Sequence, residues 1–293
     1  MSAAPPSTTS STGGPWRTAW RRLRRDRTSM AALSALLLII AACLIGPHLS
    51  PYASDAQDTS QVLQPPSASH WMGTDLLGRD LTTRVLEGGR ISLLVGVVAT
   101  AVAMTIGLGY GLIAGLASHR LDSLLMRLVD ILYGFPFMAF VILLTTVFGR
   151  SLTLLFVAIG AVEWLTTARV VRAQVLGLKR QEFVLAARVS GAGTFRILSR
   201  HLLPNVLGQV IIYASLTVPG IMLLEAVLSF LGLGVQPPNA SWGSLIQEGA
   251  NNMETSPWML LFPGFFFVLT LLCLNTLGDA LRDALDPKSH LDD

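Results

Sequence analysis

The chain has 293 residues, of which 52% are hydrophobic and only 13% are charged, with a formal net charge of +3. Soluble domains carry about 25% charged residues, so this composition excludes an ordinary soluble domain and indicates an integral membrane protein. The two cysteines, Cys43 and Cys273, both lie in apolar runs. This placement excludes a disulfide framework and favours two buried small hydrophobic residues.

The N-terminal 29 residues are rich first in Ser, Thr, Pro and Gly and then in Arg, and an apolar run follows at 30–49. A signal peptide has the same charge order, but its apolar core is only about 7–15 residues long. Because this run is long enough to cross a bilayer and ends in Gly46-Pro47-His48, we predict an N-terminal tail at 1–29 and an uncleaved first membrane helix.

Six apolar segments approach the length of about 20 residues that a transmembrane helix needs. They lie roughly at 30–49, 91–117, 124–148, 152–171, 205–232 and 258–280. A polar stretch at 50–90 separates the first segment from the other five, which we group as a core domain at 91–280. A polar tail follows at 281–293. The sequence therefore predicts an all-α integral membrane protein with six transmembrane helices.

The basic residues predict how these helices are oriented. If the N-terminus is cytoplasmic, only four of the 21 Lys and Arg residues fall on the outer side. These four are Arg79, Arg84, Arg90 and Arg150. The positive-inside rule thus predicts that both termini are cytoplasmic, and so is the basic loop at 172–204.

The second apolar segment contains the sequence GLGYGLIAG, which superficially matches a nucleotide-binding glycine loop. No strand is predicted before it and it lies in the middle of a membrane helix. Gly111 and Gly115 therefore favour close packing of two helices. The chain also lacks the GxxxxGK[ST] phosphate loop, which excludes an ATPase of that type.

The cytoplasmic loop at 172–204 has an unusual mixture of arginines and small residues. Its helix formers predict one helix from Glu182 to Val189 and a second at 195–202, capped by Thr194. A glycine-containing turn separates them, and Pro204 suits the first turn of the fifth membrane helix. The residues alone leave open whether this helix–turn–helix receives a partner or is only a solvated basic loop.

The order Ala186-Ala187, three residues, Gly191 and then twelve residues to Pro204 resembles the EAA loop of permease subunits of binding-protein-dependent ABC importers. Leu185 and His201 depart from the general motif in the manner of the dipeptide/oligopeptide/nickel branch. Other segments resemble the same branch: GTDLLGRD at 73–80, GRISL at 89–93, EAVLSFLGLG at 225–234, and SWG at 241–243. The resemblance covers about residues 30–288 and is greatest to the C-type permeases of dipeptide importers.

This resemblance implies the type I ABC importer permease fold and a place in the bacterial inner (plasma) membrane. The implied partners are a homologous second permease, two ATPase subunits or one fused ATPase, and an extracytoplasmic peptide-binding protein. ATP and Mg would bind to the ATPases, whereas this chain would hold no cofactor, metal, nucleic acid or catalytic residue. The implied substrates are dipeptides or oligopeptides, with nickel complexes and other small peptides as alternatives.

In such families the EAA loop forms a coupling helix that sits in a cleft of the ATPase. The corresponding residues here are Ala186, Ala187, Gly191, Ala192, Gly193, Arg196, Arg200, His201 and Pro204.

Two further groups of residues are candidates for function. Asp75/Arg79 and Asp80/Arg84 have the i,i+4 spacing of a surface helix. With Trp242, the residues Asp75, Arg79 and Asp80 are candidates for docking the binding protein, and a self-paired helix at the membrane edge is the alternative.

Intramembrane carboxylates usually face a cavity or a partner, which makes Glu163 and Glu225 candidates for the translocation pathway. For Glu163, a structural pair with Arg169 is the alternative. A proton-coupled secondary transporter that uses either glutamate is the rival function, although no inverted halves are recognisable. A purely structural membrane anchor would leave the family signatures unexplained.

Overall fold

The computed structural model describes residues 15–285, so the distal parts of both predicted tails, 1–14 and 286–293 with Lys288, lie outside the described residues. The α-helices are α1 (Pro15–Arg25), α2 (Arg27–Leu49), α3 (Leu81–Leu116), α4 (His119–Tyr133), α5 (Phe137–Phe148), α6 (Leu152–Leu178), α7 (Glu182–Val189), α8 (Thr194–Ile197), α9 (Leu203–Phe230), α10 (Trp242–Asn251) and α11 (Trp258–Leu285). A π-helical segment, Leu198–Leu202, joins α8 to α9. Between residues 15 and 285 there is no β-strand, only an isolated bridge between Thr74 and Asp80. The prediction of an all-α fold is confirmed.

Within residues 15–285, five helices are long and apolar enough to cross a membrane: α2, α3, α6, the continuous helix Thr194–Phe230, and α11. The pair α4 and α5 provides a sixth span if the two are counted together, but they meet at a bend of 75°. The bend lies at Gly134-Phe135-Pro136, and a residue before proline is disfavoured in the α conformation. The predicted span at 124–148 therefore consists of two helices with a bend between them.

The third helix begins earlier than the sequence predicted, at Leu81 instead of residue 91. Asp80 caps it by accepting a hydrogen bond from the Thr83 backbone N–H at 2.8 Å. Leu81 and Val85 are buried against the remainder of the outer layer, which consists of residues 50–80 and 231–257. The first ten residues of α3 are therefore part of a packed outer layer and not of a polar loop.

Among the described helices, α3 and α6 make the most extensive contact, and they approach closely along the glycines of GLGYGLIAG. A Cβ atom at Gly111 would lie 2.7 Å from the carbonyl oxygen of Ala168 and 2.7 Å from the Cβ of Val171. Gly115 meets Val175 in the same way, one turn further on. The predicted role of Gly111 and Gly115 in close helix packing is confirmed.

Candidate functional site

The turn between α7 and α8 explains the spacing of the small residues. Gly191 has a φ of 79°, its N–H donates to the carbonyl of Arg188, and the N–H of Ala192 donates to the carbonyl of Ala187, both at 3.0 Å. These two bonds form a Schellman motif, in which the residue at the Gly191 position needs a left-handed backbone. Ala187 and Gly191 are thus four residues apart because one helix ends between them.

The segment 182–204, which we call the coupling segment, is anchored to the inner ends of the membrane helices. Val184, Ile197 and Leu202 are buried, and they pack with Val171 and Val206 of α6 and α9. Because these apolar side chains face the protein, the opposite side of the segment is held in a defined position. The predicted helix Glu182–Val189 is confirmed.

The outward side of the coupling segment is unusually apolar for a surface beside a basic loop. Val189 is 90% exposed and Phe195 is 80% exposed, and Phe183 and Leu185 are also exposed. Ala186, Gly191 and Gly193 are exposed as well, and so are the arginines Arg188, Arg196 and Arg200. Such an exposed apolar patch with a polar rim is typical of a protein-binding surface. Sequence reasoning missed Val189 and Phe195, although both are large apolar residues within a loop predicted to be cytoplasmic.

The second half of the coupling segment is not a separate helix. Residue Thr194 begins a helix that runs without interruption to Phe230, and Gly193 precedes it without a side-chain cap. The predicted break near 202 and the predicted Thr194 cap are therefore wrong. Pro204 has no N–H, and in a regular α-helix its ring would clash with the carbonyl four residues earlier. The wider π-helical turns of Leu198–Leu202 accommodate the proline ring. The half-buried His201 lies beside Phe183, with ring centroids 6.1 Å apart.

Ion pairs tie α4 to α6 at their inner ends. Arg172 donates from Nε and Nη2 to both carboxylate oxygens of Asp122, at 2.5 and 2.6 Å. Arg169 donates to Asp130 at 2.8 Å and lies over the Tyr133 ring, 4.5 Å from its centroid. The alternative interpretation of Glu163, a structural pair with Arg169, is therefore wrong, because Arg169 bonds to Asp130 of α4 instead.

Glu163 is half-buried on α6, at the boundary of two cavities. One cavity, of about 480 Å³, lies between α6 and the bend at Gly134-Phe135-Pro136. The other, of about 510 Å³, lies along α9 and includes Tyr213 and Thr217. A carboxylate beside cavities at membrane depth is the arrangement expected of a residue that meets water or a solute.

Glu225 lies in a different environment from Glu163. Its side chain is fully buried and accepts hydrogen bonds from Ser229 Oγ at 2.6 Å and from Ser92 Oγ at 3.4 Å. Ser241 Oγ donates to Ser229 Oγ, and the Trp242 N–H donates to Ser92 Oγ. The Glu225 carboxylate thus joins α3, α9 and the start of α10, and its place on the translocation pathway stays a prediction.

The GTDLLGRD segment forms a turn and not the predicted surface helix. Asp75 is fully buried and accepts hydrogen bonds from Arg79 Nε at 2.7 Å and from Arg84 Nη1 at 2.5 Å. Arg84 also donates to Glu248 of α10, at 2.8 Å. The pair Asp75/Arg79 forms, whereas the expected pair Asp80/Arg84 does not.

Asp80 instead accepts hydrogen bonds from Thr83 and lies 2.9 Å from His70 Nδ1. Trp242 is also fully buried, and its indole N–H donates to the carbonyl of Val85 at 2.9 Å. The four docking candidates are thus inside the outer layer, and the side chains exposed on the turn are Leu76 and Leu77.

The chain is similar to known families and proteins over most of its length. A family model described as "Binding-protein-dependent transport system inner membrane component" matches residues 107–290, and one described as "N-terminal TM domain of oligopeptide transport permease C" matches residues 14–66. The oligopeptide transport system permease protein OppC of Escherichia coli strain K12 is 53% identical over 277 residues, which cover 94% of this chain and 92% of the relative. The dipeptide transport system permease protein DppC of Bacillus subtilis strain 168 is 47% identical over 271 residues, which cover 92% and 85% of the two chains.

A solved structure of the MetNI methionine ABC transporter in an inward-facing conformation has a TM-score of 0.57 with this chain, at 17% identity. It covers 69% of this chain and 96% of that one. At this identity the match concerns the fold alone, and it confirms the predicted type I importer permease fold. The several apolar spans and the family model together make this a multi-pass membrane protein. The chain belongs to the family of inner membrane components of binding-protein-dependent transport systems.

Proposed function

We propose that this chain is one of two permease subunits of an ATP-driven importer of dipeptides or oligopeptides, and that its coupling segment binds an ATPase subunit. The observation that carries the proposal is the exposure of Val189 and Phe195 on a segment whose other side is firmly packed. Burial of two such side chains favours association by about 1.5–3 kcal/mol each. The peptide substrate is supported by the names of the OppC and DppC relatives.

The partner subunits follow from the same proposal. ATP and Mg bind to the ATPase subunits, either two chains or one fused chain, because this sequence has no phosphate loop. A homologous second permease completes the translocation pathway, and an extracytoplasmic binding protein delivers the peptide. That protein would contact the exposed Leu76 and Leu77, whereas the buried Asp75, Arg79 and Asp80 hold this turn in place.

The continuous helix Thr194–Phe230 gives the proposed coupling a physical route. A displacement of the coupling segment by the ATPases moves the inner end of α9, since no loop separates the two. Tyr213 and Thr217 of α9 line the cavity next to Glu163, so the same movement changes the space around that carboxylate. ATP shifts the equilibrium between the inward-facing and outward-facing states only because the ATPases make unequal contacts with the two states. We place Glu163 on the translocation pathway for this reason.

The coupling proposal is tested by variants that alter the outward side of the segment. Ala187→Glu adds bulk and charge to the proposed interface, Gly191→Val opposes the positive φ of the turn, and Phe195→Ala removes an exposed ring. Each variant should insert into the membrane in normal amount but lose copurifying ATPase and peptide-stimulated ATP hydrolysis. Ser199→Ala is the control, because its exposed hydroxyl donates only to the Phe195 carbonyl within α8 and the π-helical segment.

Normal assembly and normal stimulated hydrolysis in Ala187→Glu and Phe195→Ala would show that the segment is only a topological spacer. The chain alone, in liposomes, should neither hydrolyse ATP nor take up peptide in response to a proton gradient. Proton-driven uptake that is abolished by Glu163→Gln would establish the secondary transporter instead. In the assembled complex, competition among a dipeptide, a longer peptide and a nickel complex for uptake identifies the substrate class.

A further inference from the structure

At positions 20–25 of α1, the exposed side chains lie in one arc that contains tryptophan and arginine. Trp20, Arg21, Arg24 and Arg25 are all exposed. At about 100° per residue, these four positions occupy about 140° of the helix circumference. Leu23 lies outside this arc and is half-buried. Residues 20–25 of α1 therefore present one packed side and one continuous basic side.

The packed side of α1 faces the inner end of the last membrane helix. Leu23 and Arg25 line a groove of about 590 Å³ together with Ser29 at the start of α2 and with Ala280, Asp283 and Ala284 near the end of α11. Helix α1 ends at Arg25, and the carboxylate of the next residue, Asp26, accepts hydrogen bonds from Thr28 and Ser29 and so caps α2. Because α2 and α11 both span the membrane, α1 and the groove lie at the level of the membrane surface, on the side that the charge distribution predicts to be cytoplasmic.

The chemistry of the exposed side suits an anionic headgroup at that level. Between Trp20 and Arg27 the sequence has five arginines and one aspartate, and the Asp26 oxygens already accept hydrogen bonds from Thr28 and Ser29. Arg24 lies over the Trp20 ring, 5.2 Å from its centroid. Guanidinium groups bind phosphate oxygens in pairs, and tryptophan is enriched at the membrane–water interface.

We propose that α1 and the adjoining end of α11 form a binding surface for anionic phospholipids of the cytoplasmic leaflet. Arg21, Arg24 and Arg25 would bind the headgroup phosphate, and Trp20 would lie among the headgroups. The occupant is a lipid and not free phosphate, because α1 lies at the level of the membrane surface and an exposed indole adjoins the arginines. Basic groups of this kind next to a first membrane helix attract anionic lipids. The proposal does not depend on the coupling segment or on the peptide substrate.

The test uses the purified full chain in detergent with equal amounts of phosphatidylglycerol and phosphatidylcholine, and counts bound lipids by native mass spectrometry. The parent should retain phosphatidylglycerol preferentially. Each basic residue near the surface contributes about fivefold to the binding of an anionic lipid. The Arg21→Gln/Arg24→Gln protein should therefore show a preference about 30-fold lower than that of the parent. Arg120→Gln/Arg127→Gln is the matched control, because both arginines are exposed on α4, on the same predicted side of the membrane. The control should keep the parent's preference.

A second measurement needs no change in the arginines. The fluorescence of Trp20 is obtained as the difference between the parent and Trp20→Phe in nanodiscs. This fluorescence should be quenched more by brominated phosphatidylglycerol than by brominated phosphatidylcholine. Equal binding of the two lipids, equal loss in the α4 control, or equal quenching would overturn the proposal. Displacement of the lipid by millimolar inorganic phosphate would also overturn it, in favour of a free phosphate site.

Discussion

The buried carboxylate of Asp75 provides the sharpest test of how the outer layer is held. Replacement of Asp75 by Ala removes the common acceptor of Arg79 Nε and Arg84 Nη1. It also removes the acceptor of the backbone N–H groups of Leu77 and Arg79. The side chains of Arg79 and Arg84 are 10% and 3% exposed, so water replaces the lost carboxylate poorly.

The expected cost follows from that burial. Removing one partner of a buried ion pair costs about 3–5 kcal/mol, because the remaining charge stays buried without compensation. In the Asp75→Ala protein, Arg84 still has Glu248 as a partner, so its charge is partly compensated. The expected loss is therefore near the lower end of that range. Asp75→Ala/Arg84→Met removes one charge of each sign, and should therefore recover part of the loss, as expected for residues in direct contact.

The loss can be measured as the free energy of unfolding in mixed detergent–SDS micelles, together with tryptic cleavage after Arg79 in the folded protein. Asp75→Ala should unfold at lower SDS and be cleaved faster. Asp55→Ala, on an exposed aspartate in the same outer segment, is the control. A change below about 1 kcal/mol for Asp75→Ala, with unaltered cleavage, would refute the assignment of this network as the support of the outer layer.

Three further predictions test other parts of the structure. Gly111→Leu should destabilise the protein by at least the roughly 1–3 kcal/mol of ordinary overpacking, because its Cβ would lie 2.7 Å from the Ala168 carbonyl oxygen. Gly109→Leu is the control: no atom lies within 4 Å of its Cβ position, so it should be nearly silent in the same SDS titration. An impermeant thiol reagent should label Ser67→Cys but not Ser199→Cys in intact cells. The native Cys43 and Cys273 should not react, because they are buried. Labelling of Ser199→Cys alone would show that the predicted orientation is wrong. The pKa of Asp26 is lowered from 3.8 to about 2, chiefly by the hydrogen bond from Ser29. The ionised cap therefore contributes fully to stability above pH 3.8, and this contribution is lost as the pH falls through about 2. The stability difference between the parent and Asp26→Asn should vanish over that window, and its persistence at lower pH would contradict the prediction.

Local sequence signals predicted those features that depend on a few neighbouring residues. The limits of α7 and the glycine-containing turn after it followed from helix formers and from the needs of a helix C-terminus. The close contact at Gly111 and Gly115 followed from glycines spaced by one helical turn on an apolar helix. In each case the physical constraint lies within about a turn of the residues that reveal it.

Features that depend on distant partners could not be read in the same way. The i,i+4 spacing of Asp80 and Arg84 predicted an ion pair, but Arg84 bonds to Glu248, which is 164 residues away, and Asp80 caps α3. Arg169 likewise bonds to Asp130 of another helix. Glu163 and Glu225 were indistinguishable in sequence, because only the tertiary structure places serines around one and cavities beside the other.

The two ends of α9 are held in different ways, and this difference bears on how the proposed coupling would act. At the outer end, Glu225 and Ser229 bond to α3 and to the start of α10, so this end belongs to the packed outer layer. At the inner end, the helix continues directly into the coupling segment. Between them lies Pro219, which removes one backbone hydrogen bond, followed by Gly220, whose Cβ position meets no atom within 4 Å. Proline within a helix is the usual site of a bend. A force applied at the coupling segment would therefore move the inner half of α9 against a fixed outer half, and the wall that moves is the one that carries Tyr213 and Thr217 opposite Glu163.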